Sequence, residues 1–138
     1  MSKVVVVGGG IAGCGAALAA AKAGAQVTIL ERTDMLIGVA VRAGETNGNG
    51  WFVANQELRF LGAGELPDAL QSIKLHDGVQ VPDSSRHVFI FNVGLAEPLI
   101  KRIVKEAGVE VLLESRAIDV KKEDGRILAV TLANGRMV

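Results

Sequence analysis

The stretch Val4-Val5-Val6-Val7-Gly8-Gly9-Gly10-Ile11-Ala12-Gly13 decides how this chain folds. Four consecutive valines are stiff, β-branched and apolar, so residues 3–7 read as a short buried strand. The glycines that follow match G-x-G-x-x-G at Gly8, Gly10 and Gly13. Spacing of this kind is a weak signal alone and gains weight only between a strand and a helix. Both flanks are present. Residues 11–23 are Ala-rich and helix-forming, and Gly24 is suited to close a helix. Residues 26–30 (QVTIL) read as a second strand, with Val27, Ile29 and Leu30 apolar. The whole makes a β-α-β unit with the expected right-handed crossover.

Each glycine in this pattern has a physical reason. Gly8 permits the tight turn from strand to helix, Gly10 has no Cβ to keep a pyrophosphate from the backbone, and Gly13 lets the helix pack closely on the strands. The helix start at Ile11 and Ala12 offers unpaired N–H groups and a partial positive charge to the phosphates. A P-loop is excluded because no G-K-[ST] follows. Glu31 stands at the end of the second strand, about twenty residues on, where a carboxylate accepts hydrogen bonds from the adenosine ribose and repels a 2′-phosphate. Arg32 is placed to cover adenine or pair with phosphate. These residues point to a dinucleotide, with FAD and NAD both open. The competing readings are glycines that serve helix packing alone and a Glu31 that is merely solvated.

Composition sets the frame. The chain has 138 residues, 49% of them hydrophobic and 22% charged, an ordinary globular balance for one domain. Lys plus Arg number 15, as do Asp plus Glu, so nothing favours nucleic acid or an anionic membrane as partner. Lys3, the valines and the alanines superficially mimic a secretory signal, but the glycines break the apolar stretch early. No apolar run is long enough to span a bilayer. The single cysteine, Cys14, forbids a disulfide within the chain and fits a cytoplasmic location. It reads as a small packing residue. His76 and His87 stand alone without metal-ligand spacing, so no metal is expected.

The middle of the chain is less regular. Residues 33–50 read as loop. Residues 51–61 and 67–73 read as helices, and 87–92 as a strand. Residues 98–107 form an amphipathic pattern, with Leu99, Ile100, Ile103, Val104 and Ala107 on one face. Gly108 ends it, and 109–113 read as a strand. Residues 117–121 and 127–132 read as strands joined through Glu123-Asp124-Gly125, a hairpin signal. The fold class is therefore α/β, a partial Rossmann-like three-layer domain with a three-stranded parallel core and a β-meander. It spans 1–138, with 39–96 as an irregular insertion.

The segment from Val4 to Arg32 resembles the N-terminus of FAD-dependent oxidoreductases of the glutathione-reductase type, whose signature runs from the glycines to an acid followed by Arg. The later segment EPLIKRIVKEAGVEVLLESRAIDV is similar to the part where such flavoproteins place a helix, a third sheet strand and the start of a meander. The resemblance implies FAD as cofactor and redox chemistry on an unspecified substrate. It implies that Ala117, flanked by Arg116, meets adenine through its backbone. It also implies a Gly pair near the flavin, where this chain has Ile37-Gly38. Arg42 is a further candidate neighbour of the flavin, against a plain solvated loop arginine. No nucleophile–base set is visible, so catalytic residues remain unassigned.

The family continues into an Ala-Thr-Gly-like strand returning beside the first strand, and later a Gly-Asp segment. Neither occurs in this sequence. The expectation is an open edge on the first strand, which is adhesive. A further segment, a partner chain of a split flavoenzyme or a second copy would complete it. A non-catalytic nucleotide-binding or assembly subunit is the alternative to an enzyme.

Overall fold

In the computed structural model, which describes residues 2–42, 51–76 and 90–138, the valines form strand β1 (Lys3–Val7). The chain turns at the glycines, helix α1 (Ile11–Lys22) runs back, and strand β2 (Gln26–Leu30) follows. β1 and β2 pair in parallel, with Val4 opposite Val27 and Val7 opposite Leu30. Gly24 sits at φ +87°, a turn that side-chain-bearing residues resist.

A short helix α2 (Gly38–Arg42) comes next, then α3 (Trp51–Phe60) and α4 (Glu65–Ser72). Strands β3 (Lys74–His76) and β4 (Ile90–Phe91) pair antiparallel as a small separate sheet. Helix α5 (Val93–Glu106) leads into β5 (Glu110–Leu112), which joins β2 in parallel and completes the order β1-β2-β5. The hairpin β6 (Ala117–Glu123) and β7 (Arg126–Leu132) closes the chain. Its turn residues Asp124 and Gly125 both have positive φ, as a tight two-residue hairpin loop requires.

Period-2 alternation sorts the sheet into two faces. Val4, Val6, Val27, Ile29 and Val111 face the helical layer, where Leu18, Leu66, Leu70, Ile100 and Val104 are buried. Val5, Leu30 and Leu112 face the hairpin and meet Val130 and Leu132. The result is a three-layer α/β arrangement with a parallel central sheet and the hairpin as its third layer.

Several elements differ from expectation. α5 begins at Val93 and not at residue 98, because the Asn92 side chain accepts the Gly94 N–H at 3.0 Å and caps the helix. Pro98 therefore lies inside the helix. Residues 38–42, expected as loop, form α2. β3 is unanticipated: three residues are too short for a periodic signal. The described part of 39–96 is largely helical. Residues 87–89 of the expected strand, and His87 with them, lie outside the described residues.

Candidate functional site

The glycine turn is built so tightly that side chains are excluded for three separate reasons. Gly8 adopts φ +105°, where a Cβ is strained. A Cβ on Gly13 would stand 1.9 Å from the Gly8 carbonyl oxygen. A Cβ on Gly9 would stand 2.5 Å from Leu36 Cδ2 and 3.1 Å from Glu31 Cβ. Gly10 differs: a Cβ there would meet nothing within 4 Å. No atom of the described residues explains that glycine, and the space beside it is open.

Gly10 is also the N-cap of α1, with no side-chain cap and no acidic residue in the first turn. The first-turn N–H groups of Ile11, Ala12 and Gly13 therefore lack intrahelical partners. Gly9 is committed elsewhere. Its N–H donates to Glu31 Oε2 at 2.7 Å, and its carbonyl accepts the Ile37 N–H at 2.8 Å and the Cys14 thiol at 3.5 Å.

Glu31 leaves β2 beside this turn. Its backbone N–H donates to Leu112 and its carbonyl accepts from Ser115, 2.9 and 2.8 Å, so the end of β5 is tied to the end of β2. The Glu31 carboxylate receives the Thr33 N–H at 2.8 Å and the Thr33 hydroxyl at 2.9 Å on Oε1. Burial raises its pKa, but the hydrogen bonds from Gly9 and Thr33 and the charge of Arg32 outweigh this and leave it lowered. Glu31 is thus an anion held in one orientation.

The strand ends enclose a cleft of about 220 Å³ lined by Val7, Gly8, Leu30, Glu31, Arg32, Ser115, Arg116 and Ala117. It brings together Gly8, Glu31, Arg32, Arg116 and Ala117 from distant parts of the sequence. Among the described residues, the Arg32 and Arg116 guanidinium groups have no hydrogen-bond or ion-pair partner. A second cleft of about 270 Å³ shares Ser115 and Arg116 and extends to Asn134.

Gly10, Ile11, Ala12 and Gly13 do not line the first cleft; they form the adjoining turn. Gly38 is farther along. It opens α2, and a Cβ there would make only ordinary contacts, 3.7 Å to Met35 and 3.9 Å to Thr33. Sterics do not demand that glycine. Ile37 is the unusual residue of the pair: it is fully buried, β-branched, and at φ +48°. Arg42 is exposed at the end of α2 and paired with Asp34, the behaviour of a solvated surface arginine. Cys14 is buried, and desolvation first, then Glu31 and Glu97, push its thiol up to about 12. It packs and does not act as a thiolate.

Sequence reading missed Thr33, Ser115 and Glu97. Glu97, on α5, accepts the Leu36 N–H at 3.4 Å and pairs with Lys101. Thr33 had a usable signal, since a threonine two residues beyond an acid readily bonds locally. Glu97 had none, because its partner is 61 residues away. Among the described residues no group of three or more His, Cys, Asp or Glu could hold a metal ion. No described helix is long and apolar enough to cross a membrane.

The open space at Gly10, the uncapped α1 N-terminus and the Glu31 cleft lie at the strand ends, and the parallel sheet, helical layer and hairpin are those of an FAD-binding Rossmann-like fold. The chain belongs to the FAD-dependent oxidoreductase family, whose model matches residues 3–138. Solved structures of similar fold include a geranylgeranyl bacteriochlorophyll reductase-like protein from Thermoplasma acidophilum, 23% identical with a TM-score of 0.61 over 99% of this chain and 36% of that one. A ferredoxin reductase from Rhodopseudomonas palustris is 16% identical with a TM-score of 0.57, over 99% of this chain and 21% of that one. CtdE, solved with FAD and a substrate, is 16% identical with a TM-score of 0.63, over 100% of this chain and 35% of that one. The chain thus spans well under half the length of these three proteins. No curated protein matches the sequence.

Proposed function

We propose that this chain is the ADP-binding part of a flavin-dependent oxidoreductase and forms one domain over 1–138, with 39–96 as an insertion. The observation that carries the reading is the glycine turn. Gly13 is required by a backbone clash, whereas among the described residues a Cβ on Gly10 would meet nothing within 4 Å. In this reading the N–H groups of Gly10, Ile11, Ala12 and Gly13 receive the pyrophosphate, with Gly8 making the turn. Glu31 accepts the hydroxyls of the adenosine ribose. Arg32 and Arg116 lie over adenine, with the Ala117 backbone at its edge. In the same reading Gly38 lies near the flavin, as the resemblance implies.

FAD supplies, when bound, the acceptor for a hydride from an organic substrate or a nicotinamide. The chain's own residues bind, orient and exclude 2′-phosphorylated nucleotides through the Glu31 charge. The family match is to FAD enzymes and lends no support to NAD. Catalytic residues are not assigned to this chain. Among the described residues β1 has β2 as its one neighbour, and Val7 is 64% exposed. A strand from a further segment or a partner chain would cover that edge. The lone buried cysteine keeps the cytoplasmic reading.

The test is a visible spectrum of the natively purified protein, identification of the nucleotide released on denaturation, and calorimetric titration with ADP. A flavin spectrum with released FAD supports the reading. Released NAD without flavin, or no affinity for ADP, would overturn it.

A further inference from the structure

We propose that Thr33 is a positioning residue for the ribose: it holds Glu31 in the orientation that meets the sugar diol and does not touch the ligand itself. The proposal rests on the nucleotide reading above. A glutamate side chain has three free torsions, and an exposed one samples many orientations. Here both carboxylate oxygens are taken from the protein side. The Gly9 N–H holds Oε2 at 2.7 Å, while the Thr33 N–H and hydroxyl hold Oε1 at 2.8 and 2.9 Å. Each carboxylate oxygen accepts about two hydrogen bonds: Thr33 fills Oε1, while Oε2, with its one bond from Gly9, keeps room for one ribose hydroxyl, and Glu31 lines the cleft whereas Thr33 does not.

The hydroxyl has an alternative acceptor, the Met35 carbonyl at 3.1 Å. One proton cannot serve both, and the bond to the charged oxygen is the stronger. Thr33 is itself fixed: its carbonyl accepts the Glu114 N–H at 2.8 Å at the end of β5. The hold on Glu31 is therefore anchored on both strands that flank the cleft.

The experiment uses the full chain with Thr33→Val, which keeps the side-chain shape and removes the hydroxyl, and Thr33→Ser, which restores it. Calorimetry compares ADP with 2′,3′-dideoxy-ADP, and NMR follows the Glu31 carboxyl titration without ligand. Thr33→Val is expected to weaken ADP about tenfold and to leave dideoxy-ADP unchanged, as loss of one oriented bond to a charged group predicts. Thr33→Ser is expected to stay close to the parent for both. In the free protein the Glu31 carboxyl is expected to titrate at higher pH in Thr33→Val only. Equal losses for both nucleotides, or no loss for either, would overturn the proposal. So would a Glu31 titration that Thr33→Val leaves in place. A parent chain that binds neither nucleotide sinks the nucleotide reading itself, whatever the ligand-free titration shows.

Discussion

Gly13 and Gly8 lie so close across the first turn that a Cβ on Gly13 would stand 1.9 Å from the Gly8 carbonyl oxygen. Gly10, between them in sequence, has no such neighbour. Two glycines of one motif thus differ: a Cβ at the first meets the protein's own backbone, and a Cβ at the second would enter open space. Substitution separates them. Gly13→Ala forces strand and helix apart and is expected to lower stability by about 2–3 kcal/mol, as overpacking does. Gly10→Ser adds the side-chain cap that α1 lacks, so stability should hold or rise by a few tenths of a kcal/mol. Its hydroxyl then occupies the open space, and ADP affinity should fall at least about tenfold. Thermal melts and calorimetry read both effects. A Gly10→Ser chain that binds ADP normally would remove the phosphate cradle.

The anchored Glu31 makes a pH prediction. Its carboxyl titrates below the ordinary value of 4.5 because bonds from Gly9 and Thr33 and the Arg32 charge outweigh burial. A group with a depressed folded pKa contributes stability that is full above its unfolded value and is lost as pH falls through the folded value. The melting temperature should therefore drop on acidification below about pH 4.5, a window set by the ordinary carboxylate value. Glu65, lowered first by its bond from Lys22, titrates in the same window. The difference between the parent and Glu31→Gln isolates Glu31. The gap in melting temperature should narrow as pH falls from 6 to about 3. A constant gap would show that the carboxylate is not held as an anion.

What was legible in the sequence was local or periodic. The unit from Lys3 to Leu30 carries its pattern within thirty residues, and its strands, helix and glycine geometry follow from β-branching, Ala content and the need for positive φ at Gly8. The Asp124-Gly125 hairpin reads from two residues. The amphipathic pattern over 98–107 does not reach the start of α5 at Val93, which is set by the Asn92 cap, a single polar side chain. In the site, Glu31 was visible from its spacing. Its bonds to Gly9 and Thr33, and the Glu97 contact with Leu36, depend on how loops close in three dimensions and leave no periodic trace.

Cys14 gives a check on the core behind the turn. Its thiol is fully buried, donates toward the Gly9 carbonyl at 3.5 Å and is pushed up to about 12, chiefly by desolvation. Thiolate, not thiol, is the reactive form. In the folded chain at pH 8 a disulfide reagent should find essentially no reactive cysteine, and one equivalent should appear on unfolding in denaturant. Rapid native reaction would mean that the turn opens on the timescale of the assay.

Ile37 combines two demands that conflict. Its side chain is buried in the helical core and its N–H holds the Gly9 carbonyl at 2.8 Å, yet its backbone sits at φ +48°. That region is strained for a β-branched residue, by about 1–2 kcal/mol. Removing a buried isoleucine side chain elsewhere costs about 2–5 kcal/mol. At residue 37 the two effects oppose each other, because glycine relieves the strain as it opens the cavity. Ile37→Gly should therefore destabilise by only about 1–3 kcal/mol. Ile29→Ala, equally buried on β2 in regular extended backbone, should show the full cavity loss. Denaturant midpoints of the two variants decide the matter. If Ile37→Gly proves the more damaging, the left-handed backbone at 37 stores no strain, and the isoleucine there is held by packing alone.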